Sequence, residues 1–403
     1  MNYTDRYQEL KASTNYTDDV IDLGGNLVLR NFDFSSQVRF ADPAAEAGES
    51  LAFPPEAFAG TKYEGLQAFL NTTDAEIEDN LHFRYHMIMP SGHKKARNII
   101  IMFHGFNEKY WDKYLPWAAH LASGTGKAVV MFPIAFHMNR APALWGDIRS
   151  MHQASKARKE RYPALLCSSL SNVAISSRLH NKPDRYIWSG LESYHDVIDF
   201  VEDIKKGNHP AIEADAGIDF FSYSIGTFLG EVILMTNKNG YFSRSRYASF
   251  CGGPVFNRLS PASKLILDSE ANVSLYSFLV EHLESHMKTN PHLKRLLSGE
   301  FEEGVNFRSL LNYKLNREYR EDKFRQLGGR LYAIALANDE VVPPYEVVNT
   351  LTGSRMDINI RVDILDFPYS YRHEDPFPSL PALGETVGRE FRKTFDRFNE
   401  FLM

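Results

Sequence analysis

Cysteine is nearly absent from this 403-residue chain, with Cys167 and Cys251 as the only two. Two thiols cannot build a disulfide framework, and their scarcity points to a reducing, cytoplasmic setting. Long apolar runs are missing too. The longest, Ala128 to Phe136, has nine residues and contains Pro133, far short of the roughly 20 that a membrane-spanning helix requires. Met1 to Leu10 carries charges where a secretory signal would have an apolar core. Excess charge of one sign is small, a formal net of −6, so nothing draws the chain as a whole to nucleic acid. Histidine occurs 14 times but never in His-Glu-x-x-His or beside a cysteine pair, so neither a metal nor another cofactor is implied. Internal repeats and low-complexity blocks are lacking as well.

What is present is a core. Apolar residues make up 43% of the chain and aromatics 13%, enough for a large globular interior. The length fits two or three domains or one enlarged α/β domain. Short apolar runs end in turn residues and alternate with helix-length segments. The runs are Asn98 to Phe103, Ala128 to Phe132, Ile218 to Tyr223, Tyr247 to Cys251, Arg330 to Ala337 and Arg361 to Phe367. Several are continuously apolar, as strands covered on both faces must be, which predicts a mostly parallel sheet between helices. Leu81 to Met89 alternates instead and is followed by Pro90, Ser91 and Gly92, so it reads as an antiparallel strand.

Helical stripes predicted between the strands are Leu191, Tyr194, Ile198, Val201 and Ile204, closed by Gly207, and Ile225, Phe228, Leu229, Val232 and Ile233 ahead of Gly240. Val387, Phe391, Phe395, Phe398 and Leu402 predict a final helix docked on the sheet. Three segments exceed a minimal sheet. Residues 1–79 read as an N-terminal extension packed on the core, with strand-like Asn26 to Phe34 and a Pro/Ala/Gly-rich stretch from Ala41 to Gly60. Within the main domain, 80–403, lie insertions at about 137–190 and 254–328. The latter carries a stripe of Val273, Tyr276, Val280, Leu283 and Met287, and reads as a helical lid or cap.

Chemistry concentrates in Gly217 to Gly230, where a strand runs through Ser222-Tyr223-Ser224-Ile225-Gly226 straight into a helix. A nucleophile elbow turns so sharply that the residues two before and two after its serine must be small. Ser222 and Gly226 meet that need around Ser224. Taking Ser222 as nucleophile would place Phe220 in a small position, which excludes it. The other reading of Ser224 is an ordinary helix N-terminus. Cys251, beside Gly252-Gly253, lacks such an elbow and reads as a buried structural thiol.

The strand Asn98 to Phe103 ends in His104-Gly105-Phe106, a tight turn that can aim the N–H of Phe106 at the same point as the N–H of Ile225. Two such donors make an oxyanion hole. A serine nucleophile needs a base and the base an orienting carboxylate. Asp339 lies where the chain leaves the Arg330 strand, and beyond it the sequence has one histidine, His373. The order Ser224, Asp339, His373 puts each residue at the C-terminal end of a separate strand, the edge where open α/β sheets bind ligands.

With these residues the chain resembles the α/β-hydrolase superfamily, over roughly Leu81 to Met403. The resemblance implies an α/β-hydrolase fold, Ser224 as nucleophile, His373 as general base and then acid, Asp339 as its carboxylate, and Phe106 and Ile225 as oxyanion donors. Glu340, Asp363 and Asp366 stand as alternative acids. His104, Tyr223, Arg140 and His137 are further pocket candidates. The implied activity is cleavage of an ester or related acyl bond in a small-molecule acyl substrate. Amidase, peptidase or thioesterase chemistry by the same triad, or a non-catalytic binding role, are the alternatives. From His137 to Gly190, nine basic residues face three acidic ones, which reads either as recognition of an anionic group, with Arg140 nearest the pocket, or as a solvated helix face.

Overall fold

The computed structural model describes residues 2–37 and 74–403; the Pro/Ala/Gly-rich stretch from Ala41 to Gly60 lies outside them. Among the described residues, nine strands form one sheet: β1 (Val20–Gly24), β2 (Leu27–Ser35), β3 (His82–Pro90), β4 (Ala96–Phe103), β5 (Ala128–Met131), β6 (Ile212–Tyr223), β7 (Tyr247–Phe250), β8 (Leu331–Leu336) and β9 (Arg361–Leu365). Their spatial order is β1-β2-β3-β5-β4-β6-β7-β8-β9. The pairings from β5 through β9 are parallel. Those of β1 with β2, β2 with β3 and β3 with β5 are antiparallel. The chain thus has the α/β-hydrolase fold class, a mostly parallel central sheet flanked by helices. Residues 2–37 add a helix, Tyr3–Ser13, and the hairpin β1–β2 to the antiparallel edge.

The continuous apolar strands separate two cores, one on each face. In β4, Ile99, Ile101 and Phe103 point into the core that includes Leu191, Val197 and Val232 from the helices Arg185–Lys205 and Ile225–Thr236. Ile100 and Met102 point into the other, with Trp117 and Leu121 from the helix Leu115–Thr125 and Phe391, Phe395 and Phe398 from the helix Gly384–Leu402. Period-two alternation thus feeds two apolar layers. Each such side chain, fully buried, contributes about 1.5–3 kcal/mol.

Two details depart from the sequence pattern. The helix after β6 stops at Thr236 on left-handed Asn237, whose N–H donates to the Ile233 carbonyl, ahead of Gly240. In the 254–328 segment, a single helical stripe through Val273 and Tyr276 does not form. A helix at Ser269–Tyr276 widens into one π turn over Ser277–Glu281 before a new helix, Leu283–Thr289. The widened turn shifts the register, so Ala271, Leu275, Leu279, Leu283 and Met287 are buried while Val273 and Tyr276 are exposed.

Candidate active site at the end of the sheet

β6 delivers Ser224 directly from its last residue, Tyr223, into the helix Ile225–Thr236. Ser224 has φ 57° and ψ −124°, a conformation that costs a non-glycine residue on the order of 1–3 kcal/mol and persists only where packing enforces it. The enforcement is visible in the neighbours. A Cβ at Gly226 would lie 2.7 Å from the His104 carbonyl oxygen, and one at Gly252 would lie 2.7 Å from the Ser224 carbonyl oxygen. Ser222, where elbows usually carry glycine, is accommodated from the helix side: a Cβ at Gly230 would sit 3.0 Å from Ser222 Oγ.

Ser224 Oγ lies 2.7 Å from Nε2 of His373, and Nδ1 of His373 lies 2.7 Å from Oδ2 of Asp339. With Nδ1–H donating to the carboxylate, Nε2 is free to accept from the serine hydroxyl. The other carboxylate oxygen of Asp339 accepts from the backbone N–H groups of Val341 and Val342, at 2.9 and 2.8 Å, so the loop after β8 fixes its orientation. The alternative acids do not take the bond from His373 Nδ1. Asp366 accepts from Asn338 and Tyr371, Asp363 from Tyr332, Arg361 and Arg397, and Glu340 is exposed.

A family model matches residues 1–403. The chain belongs to DUF6051, a family of unknown function. Comparison with curated protein sequences finds no match. Among solved structures, this DUF6051 chain is similar to carboxyl esterase 2 from the mycorrhizal fungus Tuber melanosporum, at 10% identity and a TM-score of 0.43, covering 80% of this chain and 82% of that one. It is also similar to a cold-adapted esterase from an Arctic intertidal metagenomic library (10%, TM-score 0.40, 97% and 100% covered). A thermostable esterase from Pseudomonas putida ECU1011 is a third (10%, TM-score 0.40, 89% and 94%). Likeness at this level carries no information about substrate.

In the DUF6051 fold, Phe106 and Ile225 line a pocket of about 580 Å³, open mouth included, beside Ser224. Its other walls include Phe256, Leu259, Ile266, Leu267 and Leu275 from the 254–328 segment, and Tyr186 and Phe228. Adjoining the pocket through Phe256, Leu259 and Val341, a wide groove is bordered by His373 and by Ser263, Lys264, Asn338, Glu340 and Arg372. Among the described residues, no three His, Cys, Asp or Glu side chains are grouped to hold a metal ion, and no helix is long and apolar enough to cross a membrane.

The remaining candidates separate. Tyr223 is buried behind the site; its ring stacks on His373, centroids 5.5 Å apart, and its hydroxyl donates to the His373 carbonyl. His104 is fully buried: Nδ1–H donates to the Gly105 carbonyl and Nε2 accepts from the Ile134 N–H at 2.9 Å. Burial, with the neighbouring His137, Lys113 and Arg140, holds its pKa well below 6.5. It ties the turn after β4 to the end of β5 and faces no pocket wall given above. His137 is also buried, with Nδ1–H donating to the Ala135 carbonyl, and burial pushes its pKa down to about 4.

Arg140 departs from its expected place at the pocket. Its guanidinium is wholly buried against Glu192 at 3.0 Å, Asp196 at 2.7 Å and Asn80 at 3.1 Å. Three more of the nine basic residues of 137–190 are turned inward in the same way: Arg158 pairs with Asp268, and Arg178 and Arg185 with Asp74, whereas Arg149, Lys156, Lys159 and Arg161 are exposed, as on a solvated helix face. Neither an anion site nor a solvated face describes the four buried arginines. Two further groups escaped the sequence reading. Lys113 donates to the Glu374 carbonyl at 2.9 Å and pairs with Glu108, while Tyr114 accepts from the Gly105 N–H at 2.8 Å. Both brace the loops around His373 and Phe106, and neither belongs to any local motif.

Proposed function

We propose that this chain is a serine hydrolase that cleaves an ester through an acyl-enzyme intermediate. The observation that carries the reading is the unbroken hydrogen-bond relay Ser224, His373, Asp339 beginning at a serine held in a strained backbone conformation. Ser224 Oγ attacks the ester carbonyl carbon while His373 Nε2 takes its proton. The N–H groups of Phe106 and Ile225 donate to the oxyanion. The tetrahedral species collapses, the ester C–O bond breaks, and the departing alkoxide takes the proton from His373. A water molecule then gives a proton to His373 and attacks the acyl carbon, releasing the acid and restoring the Ser224 hydroxyl. Asp339 holds the imidazole in the Nδ1–H tautomer and stabilises it when charged.

The two openings suit the two halves of an ester. The apolar pocket beside Ser224 suits the acyl group, and the open groove at His373, with both polar and apolar walls, suits the alcohol. That pairing favours an esterase over a peptidase, whose substrate needs polar main-chain partners on both sides.

The test is labelling by a fluorophosphonate probe together with hydrolysis of p-nitrophenyl esters. Native protein should label and turn over. Ser224→Ala should do neither while keeping its melting temperature within a few degrees. Absence of labelling in folded native protein would overturn the reading.

A further inference from the structure

Some walls of the pocket beside Ser224 serve a second space. Phe106, Tyr186, Ile225 and Phe228 also border a second cavity of about 450 Å³, open space at its mouth included, whose other walls include Ile134, Leu229, Val232 and Phe307. Space for Phe307 comes from Gly190, where a Cβ would collide with its ring at 2.4 Å. Tyr186 lines both cavities and His137 lines the second; both residues also border a third space, with Asp74, Arg178 and Arg185 on its walls.

Two polar atoms on these walls have no partner. The Tyr186 hydroxyl and His137 Nε2 are both buried and make no hydrogen bond. The residues are 7% and 6% exposed, so bulk water does not serve them. Other polar groups there are spent: Ser193 Oγ accepts from the Ala135 N–H and donates to the Ser189 carbonyl. Buried polar groups are nearly always hydrogen-bonded, and two left open on one apolar cavity mark an unfilled requirement.

We propose that this second cavity receives the acyl chain of the substrate and that Tyr186 and His137 select a chain bearing a hydroxyl group. The inference deepens the hydrolase reading and rests on it. A hydroxyl can accept from the Tyr186 O–H and donate to the His137 Nε2 lone pair; a methyl group can do neither. His137 stays an acceptor because its Nδ1–H is committed to Ala135 and the imidazole is uncharged at neutral pH. A carboxylate would meet that lone pair with negative charge in an apolar cavity, and an ammonium could not accept from Tyr186. A cavity of this kind discriminates by leaving its own polar atoms unpaired when the wrong chain enters.

The experiment uses Ser224→Ala protein and intact methyl esters of hexanoic, 3-hydroxyhexanoic and 6-hydroxyhexanoic acid, with affinity measured by calorimetry. At least one hydroxy ester should bind about tenfold or more tightly than methyl hexanoate. That ratio should fall toward one when Tyr186→Phe is added, a change that removes a single buried oxygen. His137→Phe should do the same. Equal affinity for all three esters, tighter binding of the plain ester, or a preference that survives both substitutions would overturn the proposal. Fluorophosphonate labelling of native protein keeps the two ideas apart. Labelling without a hydroxyl preference rejects the pocket assignment alone; a hydroxyl preference without labelling supports the pocket and rejects the hydrolase.

Discussion

Two buried regions on either side of the Phe106 turn treat charge in opposite ways. The pocket beside Ser224 and the cavity that shares its walls have no Asp, Glu, Lys or Arg lining them. Nearby, Arg140, Arg158, Arg178 and Arg185 are buried against Glu192, Asp196, Asp268 and Asp74. A charge removed from water must bring its counter-charge with it, so such pairs can brace a scaffold, and a space meant for an uncharged chain must be kept clear of them. The difference shows that local net charge in a sequence is a poor guide to what a site binds.

The sharpest test of that division is at the relay. Asp339→Asn should lower kcat about 10³- to 10⁴-fold by disturbing the imidazole tautomer, whereas Asp366→Asn should stay within about twofold; p-nitrophenyl ester kinetics decide, and the reverse outcome would move the acid to Asp366. Next comes the braced side. Arg140→Met leaves Glu192 and Asp196 buried without their cation and should destabilise the protein by about 3–5 kcal/mol, read by chemical denaturation. Adding Asp196→Asn should recover part of the loss. An Arg140→Met protein of native stability that had lost ester affinity would break the comparison by making Arg140 a substrate contact.

Acid should weaken the fold through its dry imidazoles. The pKa of His137 is held near 4 and that of His86 near 3, against about 6.5 in the unfolded chain. Between those values the unfolded chain binds more protons. Stability is therefore complete above about pH 6.5 and falls as pH drops toward 4, by up to about 1.4 kcal/mol per pH unit for each imidazole. Urea midpoints at pH 7 and pH 5 measure the slope, and His137→Phe should flatten it by one imidazole's share. The smallest effect is expected from Tyr223→Phe, which frees the carbonyl of His373. A fall in kcat of about three- to tenfold with KM little changed would mark a positioning role; a change in KM alone would not.

Much of this was legible in the chain because it rests on local pattern. Continuous apolar runs announced the parallel strands, and the spacing of Ser222, Ser224 and Gly226 announced the elbow. Asp339 could be named from its place at the strand end, but the two backbone N–H groups that turn toward one of its oxygens could not be read there. Nor could the inward fate of Arg140, whose carboxylates lie 52 and 56 residues further on. The brace from Lys113 to Glu374 joins loops 261 residues apart. The π turn at Ser277–Glu281 displaced a stripe by a local widening that ideal helical periodicity does not contain.

Gly226 has a consequence for how such a protein can diverge. With no room for a methyl group between it and the His104 carbonyl, the helix behind Ser224 and the turn that carries Phe106 are in direct backbone contact. Exchanges at Leu259, Ile266, Leu267 or Leu275 can re-cut the wall facing them without altering that spacing. Substrate range is therefore free to drift in the 254–328 segment while the proposed centre stays fixed, as a lock can be rekeyed without replacing the bolt.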